Sequence, residues 1–288
     1  MSHIYDLHSH STASDGTLSP TELVKRAAAA GVDVLALTDH DTTEGIAEAR
    51  ATAEAVGIAL APGVEISVTW SGQTVHVVGL NVDPAAESLR LGLSKLREFR
   101  DWRAEEIGRR LEKKGISGAY EGARRYSNGR LISRTHFGRF LVEKNYAKDE
   151  RDVFRQFLVQ GKPGHVPGDW APLEEAVDWI RSAGGQAVLA HPARYRMTRT
   201  KLRRLLGEFK DVGGEALEVV SGSHNKDDCF VMARHARDFN LFASVGSDFH
   251  NPDLPWIALG RLQPLPEGCV PIWRDWPGRG LIAGLSVA

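Results

Sequence analysis

Cysteine is almost absent from this chain. Two residues, Cys229 and Cys269, stand far apart in 288, with no CxxC spacing and no Cys-rich framework. That excludes a disulfide-stapled secreted scaffold and points to a reducing compartment, so a cytoplasmic protein is expected. No stretch approaches the run of about 20 apolar residues that a transmembrane helix requires. The opening Met-Ser-His-Ile-Tyr-Asp has neither the basic nor the apolar region of a secretory leader. No membrane partner is expected. Charge of one sign is not in excess either. The formal net charge of −1 gives no overall attraction to nucleic acid or to an anionic membrane. Internal repeats and low-complexity tracts are missing, and nothing implies an obligate protein partner.

What the chain has is histidine in a pattern. In Tyr5-Asp6-Leu7-His8-Ser9-His10 two histidines sit two residues apart after a short apolar run. In a strand, residues i and i+2 point to one face, so His8 and His10 would project side by side, as half of a metal site. Ser19-Pro20-Thr21-Glu22 then reads as a capping box opening a helix that Gly31 stops. The buried run Val34–Thr38 ends in Asp39-His40-Asp41, a helix is expected over 43–56, and residues 58–67 carry Glu65. Residues 74–80 form a further strand with His76 in an apolar setting.

From 85 to 164 this alternation stops. Leu89, Leu93, Leu96, Phe99, Trp102, Ile107 and Leu111 form the stripe of a long amphipathic helix. Residues 121–128 read as a loop, and 134–144 and 150–159 as helices. After Gly168 alternation resumes, with strand ends at His191, at Ser221 to Asn225, and at Asp248-Phe249-His250. The Pro-, Gly- and Trp-rich tail from Pro252 is expected to wrap the body as irregular structure. Strand and helix alternating about seven times predicts a parallel α/β barrel with a helical module inserted between the fourth and fifth strands. The expected divisions are a first barrel part over 1–84, a helical basic insert over 85–164, and a second barrel part with the tail over 165–288.

The polar residues gather where strands end. They are His8, His10, Asp15, His40, Glu65, His76, His191, Asp248 and His250, including six of the eleven histidines. The C-terminal strand ends form the active face of such barrels. Nine ligands exceed the needs of one ion and suit two or three divalent metals, with a carboxylate such as Glu65 as bridge. The mixed set allows Mn, Fe or Zn, and the hard oxygen of Asp15 favours Mn. Asp6, Asp39 and Asp41 are expected to orient the histidines.

These residues resemble the motifs of the PHP family, named for polymerase and histidinol phosphatase: His8-x-His10, Asp39-His40, Gly63-Val64-Glu65, His76, His191-Pro192 and Asp248-x-His250. The resemblance implies a distorted (β/α)7 barrel with a trinuclear site. Its ligand groups would be His8, His10, Glu65 and Asp248; then Glu65, His76 and His191; then Asp15, His40 and His250. Many members have His where this chain has Asp15. The insert, with Ser133-Arg134-Thr135-His136, looks closest to the branch of 3′,5′-nucleoside-bisphosphate phosphatases, which is related to a 5′–3′ exoribonuclease of short RNAs. The resemblance supplies that substrate.

Residues 85–164 carry 19 Lys and Arg against 11 Asp and Glu, a net of +8, while the rest of the chain carries −9. A basic lid over an acidic metal-holding barrel suits a polyanion. Arg134, with Thr135 beside it at a helix start, offers a fork for phosphate. In Phe99-Arg100-Asp101-Trp102 a ring could stack on a base while Arg100 meets a phosphate, or Phe99 and Trp102 only extend the stripe. Asn225, at a strand end, faces the mouth, and a ligand contact there is left open. Trp170, Trp179 and Trp256 read as packing residues, His136 as a bystander in the next turn of its helix, and His3 and His235 as surface residues.

The expected activity is a metal-dependent phosphomonoesterase that removes the 3′-phosphate of nucleoside 3′,5′-bisphosphates and also trims short 5′-phosphorylated RNA. Asp248 would hold metal, Arg134 would neutralise phosphoryl charge, and a metal-bound water or His191 would protonate the leaving oxygen. The alternatives are a histidinol-phosphate phosphatase, which needs one phosphate pocket, and a non-catalytic RNA-binding module.

Overall fold

Seven short strands line up in chain order, each beside the next. The structure is a computed structural model that describes residues 3–127, 131–253 and 256–276. The strands are β1 (Tyr5–Asp6), β2 (Val34–Leu37), β3 (Ala59–Trp70), β4 (Gln73–Leu80), β5 (Gln186–Leu189), β6 (Ala216–Ser221) and β7 (Phe242–Gly246). The sheet closes on itself, because Leu7 N donates to Val245 O at 3.0 Å, Asp248 N to His8 O at 2.9 Å and His10 N to Phe249 O at 2.9 Å. The regular part of β1 is two residues long, and the extended chain that carries His8 and His10 continues this pairing beyond it.

The barrel is distorted, and not parallel throughout as the alternation suggested. β4 runs antiparallel to both β3 and β5. Two residues, Ser71 and Gly72, join β3 to β4, and both have positive φ (49° and 74°). Such a turn makes a hairpin, whereas a parallel neighbour would need a crossover of a dozen residues or more. The reversal puts the beginning of β4, not its end, at the mouth of the barrel. His76 pairs in register with Ser67 near that beginning.

The interior between the strands is filled by Leu7, Val34, Ala36, Ala61, Val78, Val188 and Ala190. The described tail residues close the bottom. Trp276 is fully buried in this cluster and donates Nε1 to Gln186 Oε1 at 2.7 Å, and Trp273 stacks on Tyr5 at 4.3 Å. The expectation for residues 277–288 lies outside the described residues.

Helices α1 (Pro20–Ala29), α2 (Ile46–Val56), α7 (Leu173–Ser182), α8 (Arg199–Asp211) and α9 (Lys226–Asp238) cover the barrel, and the Ser19/Glu22 capping box forms. Between β4 and β5 lie α3 (Glu87–Glu112), α4 (Ala119–Tyr126), α5 (Arg134–Glu143) and α6 (Glu150–Val153), which runs into a π-helical turn at Phe154–Leu158. The region expected to be a loop at 121–128 is therefore helical as far as Tyr126. Its buried face is Ala119, Gly122 and Ala123, with Phe140 so close to Gly122 that a Cβ would fall 2.2 Å from the ring. A face of small residues carries little apolar periodicity. Leu89, Leu93 and Leu96 of α3 join the barrel core, while Ala104, Ile107 and Leu111 join a separate core with Phe137, Leu141 and Val153. One helix thus ties the insert to the barrel.

Candidate metal centre and anion pocket

The strand geometry gathers nine side chains into one cluster with Glu65 at its centre. Its Oε2 lies 3.4 Å from His8 Nε2 and 3.3 Å from His10 Nε2. Asp248 Oδ1 sits 3.6 Å and 3.3 Å from the same two nitrogens. Glu65 Oε1 lies 2.8 Å from His76 Nδ1 and 3.0 Å from His191 Nε2. On the third side, Asp15 Oδ1 is 3.2 Å from His250 Nε2 and 3.9 Å from His40 Nε2. His40 Nδ1 is 2.9 Å from Glu65 Oε2 without hydrogen-bond alignment.

These donors fit metal ions. His10 Nδ1, Asp15 Oδ1, His40 Nδ1, Glu65 Oε2 and His191 Nδ1 are buried without a hydrogen-bond partner, a costly state for polar atoms unless something else satisfies them. Three overlapping groups have ligand atoms close enough to share an ion: His10, Asp15, His40 and His250; His8, His10 and Glu65; and His40, Glu65 and His76. A mixed imidazole and carboxylate set suits divalent ions.

Burial is the first influence on His10, His76, His250 and Glu65, and it prevails at the first two while charged neighbours outweigh it at the others. Burial and the nearby His250 push His10 down to about 3, and burial pushes His76 down to about 4 against the pull of Glu65. Burial also disfavours a charged His250, but Asp15 overrides it and raises the imidazole to about 9. Burial disfavours the charged Glu65 too, yet His76, His40 and His8 hold it well below the carboxylate range.

Beside the cluster opens a cavity of about 180 Å³. It is lined by seven of the nine cluster residues, by Ser133 and Thr135, and by four arginines: Arg100, Arg103, Arg134 and Arg194. Arg100 is committed, donating to Asp41 Oδ2 at 2.6 Å and to Ser67 Oγ at 2.8 Å. Arg194 pairs with Asp248. Arg103 gives its hydrogen bonds to Val166 O, and Arg134 lies over the Phe154 ring at 5.4 Å. Neither of these two has a carboxylate partner among the described residues, so their charge is available to an anion.

Some expected residues fall elsewhere. Phe99 packs edge-on against Trp170 at 4.8 Å, Trp102 and Asp101 face solvent, and none of the three lines the cavity. The apolar-stripe reading of Phe99 therefore stands. Asn225 caps α9, its side chain accepting from Asp228 N at 2.9 Å. Thr135 lines the cavity but donates its hydroxyl to Asp15 Oδ2 at 3.1 Å. Asp6, Asp39 and Asp41 touch no histidine. They accept from Ser247 N and Gly260 N, from Ser11 and Ser14, and from Arg100 and Ser67 N. His235 is buried and not at the surface, while His136, also buried, caps the start of α5 and does not line the cavity. Trp170 is a wall of the cavity, with Arg100 and Arg103 against its ring at 4.9 and 5.3 Å, while Trp256 is 72% exposed and packs little.

Sequence reasoning missed Arg103, Arg194 and Glu218, and of these Glu218 touches two of the histidines. The cue for Glu218 was a carboxylate in the buried strand Ala216-Leu217-Glu218-Val219-Val220.

A distorted seven-stranded barrel with histidines and carboxylates crowded at one mouth defines a known class. The chain belongs to it, since residues 6–186 match the PHP domain family. Within that class it is similar to a 3′,5′-nucleoside bisphosphate phosphatase of Chromobacterium violaceum, at 51% identity over 95% of this chain and 96% of that protein. It is also similar to the 5′-3′ exoribonuclease Rnm of Salmonella typhimurium, at 48% identity over 95% of this chain and 94% of that protein. A solved structure of a C. violaceum amidohydrolase with bound sulfate and no metal matches with a TM-score of 0.92, at 51% identity and covering 96% of each chain.

Proposed function

We propose that this protein is a metal-dependent phosphomonoesterase that removes the 3′-phosphate of nucleoside 3′,5′-bisphosphates. The observation that carries the reading is the juxtaposition of the Glu65-centred cluster with two arginines free of carboxylates in one cavity. The likeness to a bisphosphate phosphatase over nearly the whole chain supports the substrate.

In this reading the nine residues His8, His10, Asp15, His40, Glu65, His76, His191, Asp248 and His250 hold two or three divalent ions, with Mn favoured by the hard oxygen of Asp15. Such ions supply a nucleophile at neutral pH and neutralise phosphoryl charge. Arg134 and Arg103 meet the phosphoryl oxygens, where preformed positive charge matters most as charge spreads. Arg194 steadies Asp248, and Arg100 is held by Asp41 at the cavity wall. His191 has Nε2 turned to Glu65 and Nδ1 buried, so we assign it to holding the cluster, with solvent protonating the leaving oxygen. A cytoplasmic setting belongs to the same reading and rests on the cysteine usage. Among the described residues no helix is long and apolar enough to cross a membrane.

The test is phosphate release by the Mn-loaded protein from adenosine 3′,5′-bisphosphate, with 5′-AMP, 3′-AMP and histidinol phosphate in parallel. Selective release from the bisphosphate, leaving 5′-AMP, is expected. Equal rates on all four would replace the reading with a general phosphatase.

A further inference from the structure

Away from the metal cluster, a groove of about 380 Å³ lies where helices α8 and α9 meet the short helical turn Pro192–Tyr195. That size falls in the ordinary range for small-molecule pockets. Its wall is apolar, built from Pro192, Ala193, Met197, Leu202, Val231 and Met232. No residue lining it also lines the cavity beside the cluster.

The polar part of the lining is basic. Arg196, Arg199 and Arg234 are exposed and have no carboxylate partner among the described residues. The one acid in the lining, Asp228, is engaged in the capping box of α9, where its Oδ2 accepts from Asn225 N at 3.0 Å. His235 completes the groove. It is 4% exposed, and its Nδ1 has no hydrogen-bond partner. Burial lowers its pKa, and Arg203, Arg199 and Arg234 lower it further against Asp238, so the ring is neutral at pH 7. A neutral imidazole has one donor and one acceptor, and a buried one without a partner is a costly state that a ligand would relieve. Apolar walls with a few convergent polar groups are the usual build of a small-molecule site, and unpaired guanidinium groups select an anion.

The place of the groove gives its occupancy a consequence. Pro192 and Ala193 form part of its wall. The same turn starts just after His191, whose Nε2 lies 3.0 Å from Glu65 Oε1, and carries Arg194, which pairs with Asp248. Residues other than glycine hold positive φ at both ends of the turn, 27° at His191 and 45° at Arg196. Such backbone persists only where its surroundings hold it, and a ligand against Pro192 alters those surroundings.

We propose that this groove binds a small organic anion, a carboxylate or sulfonate on an apolar body, and that its occupant is linked to the metal cluster through the turn Pro192–Tyr195. Arg199 and Arg234 meet the anionic group, Met197, Leu202 and Met232 take the apolar body, and His235 supplies one hydrogen bond. Linkage is reciprocal: the factor by which metal changes the ligand's affinity is the factor by which the ligand changes the metal's. The linkage rests on the cluster holding metal and not on the substrate assigned to it.

The probe is 8-anilinonaphthalene-1-sulfonate, whose fluorescence rises in apolar surroundings, titrated into the full chain in chelator and again with Mn. Wild type is expected to show one saturable site. Arg199→Ala/Arg234→Ala should weaken it by about tenfold or more, and Arg199→Lys/Arg234→Lys should keep most of it. His235→Phe, which keeps a ring in place, should weaken it by about threefold. Arg134→Ala, in the cluster cavity, should leave probe binding unchanged. The uncharged N-phenyl-1-naphthylamine should bind wild type by about tenfold more weakly than the sulfonate. Mn should shift the probe's affinity by about fivefold or more in wild type, and not in the double alanine variant. No saturable binding by wild type would overturn the site, and so would binding lost in Arg134→Ala but kept in the double alanine variant. Equal affinity in chelator and in Mn would overturn the linkage. Phosphate release from the bisphosphate without the probe judges the phosphomonoesterase reading separately.

Discussion

Glu218 holds two parts of the cluster at once: Oε1 lies 3.0 Å from His8 Nδ1 and Oε2 accepts from the backbone N of His191 at 2.6 Å. A carboxylate is an acceptor only, so His8 keeps a proton on Nδ1, and Nε2, on the side of Glu65 and Asp248, is the nitrogen that would give up its proton to meet a metal. Glu218→Gln keeps the volume and weakens the acceptor. A loss of about 10–100-fold in metal affinity or activity is expected, with the fold retained. Calorimetric metal titration beside phosphate release checks it, and wild-type affinity in the variant would refute the role.

Asp15 links the cluster to the insert. Oδ1 faces His250 and His40, while Oδ2 accepts from Ser133 Oγ at 3.2 Å and from Thr135 Oγ1 at 3.1 Å. If it completes a third ion site, Asp15→Ala should bind about one ion fewer per chain, and Asp15→His, with a borderline nitrogen ligand, should recover it. Metal analysis after gel filtration decides, and equal stoichiometry in wild type and Asp15→Ala would rule the third site out.

The ring of candidate ligands was legible because each follows a strand, and the i, i+2 pairs at 8–10 and 248–250 mark one face. The end of β4 at which His76 stands was not legible. Val-rich runs read alike in parallel and antiparallel sheets, and only the two-residue link Ser71-Gly72 separates them. Glu218 was passed over inside an apolar strand. Arg103 and Arg194 were passed over because arginine usually lies on a solvated face, and no local pattern tells that Trp170 folds back onto one of them. The capping role of Asn225 was not legible because a polar residue at a strand end can cap the next helix as readily as meet a ligand, and Asp228 three residues on was the hint.

Asp41 and Arg134 should separate stability from chemistry. Asp41 is fully buried with φ at 51°, and it neutralises the buried Arg100. Asp41→Ala leaves that guanidinium without its partner, at a cost of about 3–5 kcal/mol, and adding Arg100→Met should recover most of it. Arg134 gives up no ion pair, so Arg134→Ala should change stability by less than about 1 kcal/mol. Its loss should show in turnover, by about 100-fold, as for one preorganised donor to a developing charge. Urea titration in chelator and bisphosphate kinetics on each variant make the comparison. A stable Asp41→Ala or a fully active Arg134→Ala would each break it.

Protons and metal compete for the same nitrogens. His250 is raised to about 9, and His8, despite burial, is raised by Glu65, Glu218 and Asp248, so both are charged at neutral pH in the metal-free protein. The raised value of His250 contributes stability that is present below about 6.5 and lost as pH climbs through about 9, and the raised His8 acts in the same direction. His10 and His76, at about 3 and about 4, act oppositely, since the unfolded chain binds more protons than the fold between those values and about 6.5. The depressed Glu65, Asp15 and Asp248 add to the loss on the acid side. The chelated protein should therefore be most stable near pH 6.5. Metal binding needs neutral imidazoles, so loading should release protons, and affinity should tighten as pH rises toward about 9. Thermal melts from pH 5 to 9 should fall above about 6.5 in chelator and hold or rise with Mn present. Parallel curves in the two conditions would mean that metal does not displace protons from His8 and His250.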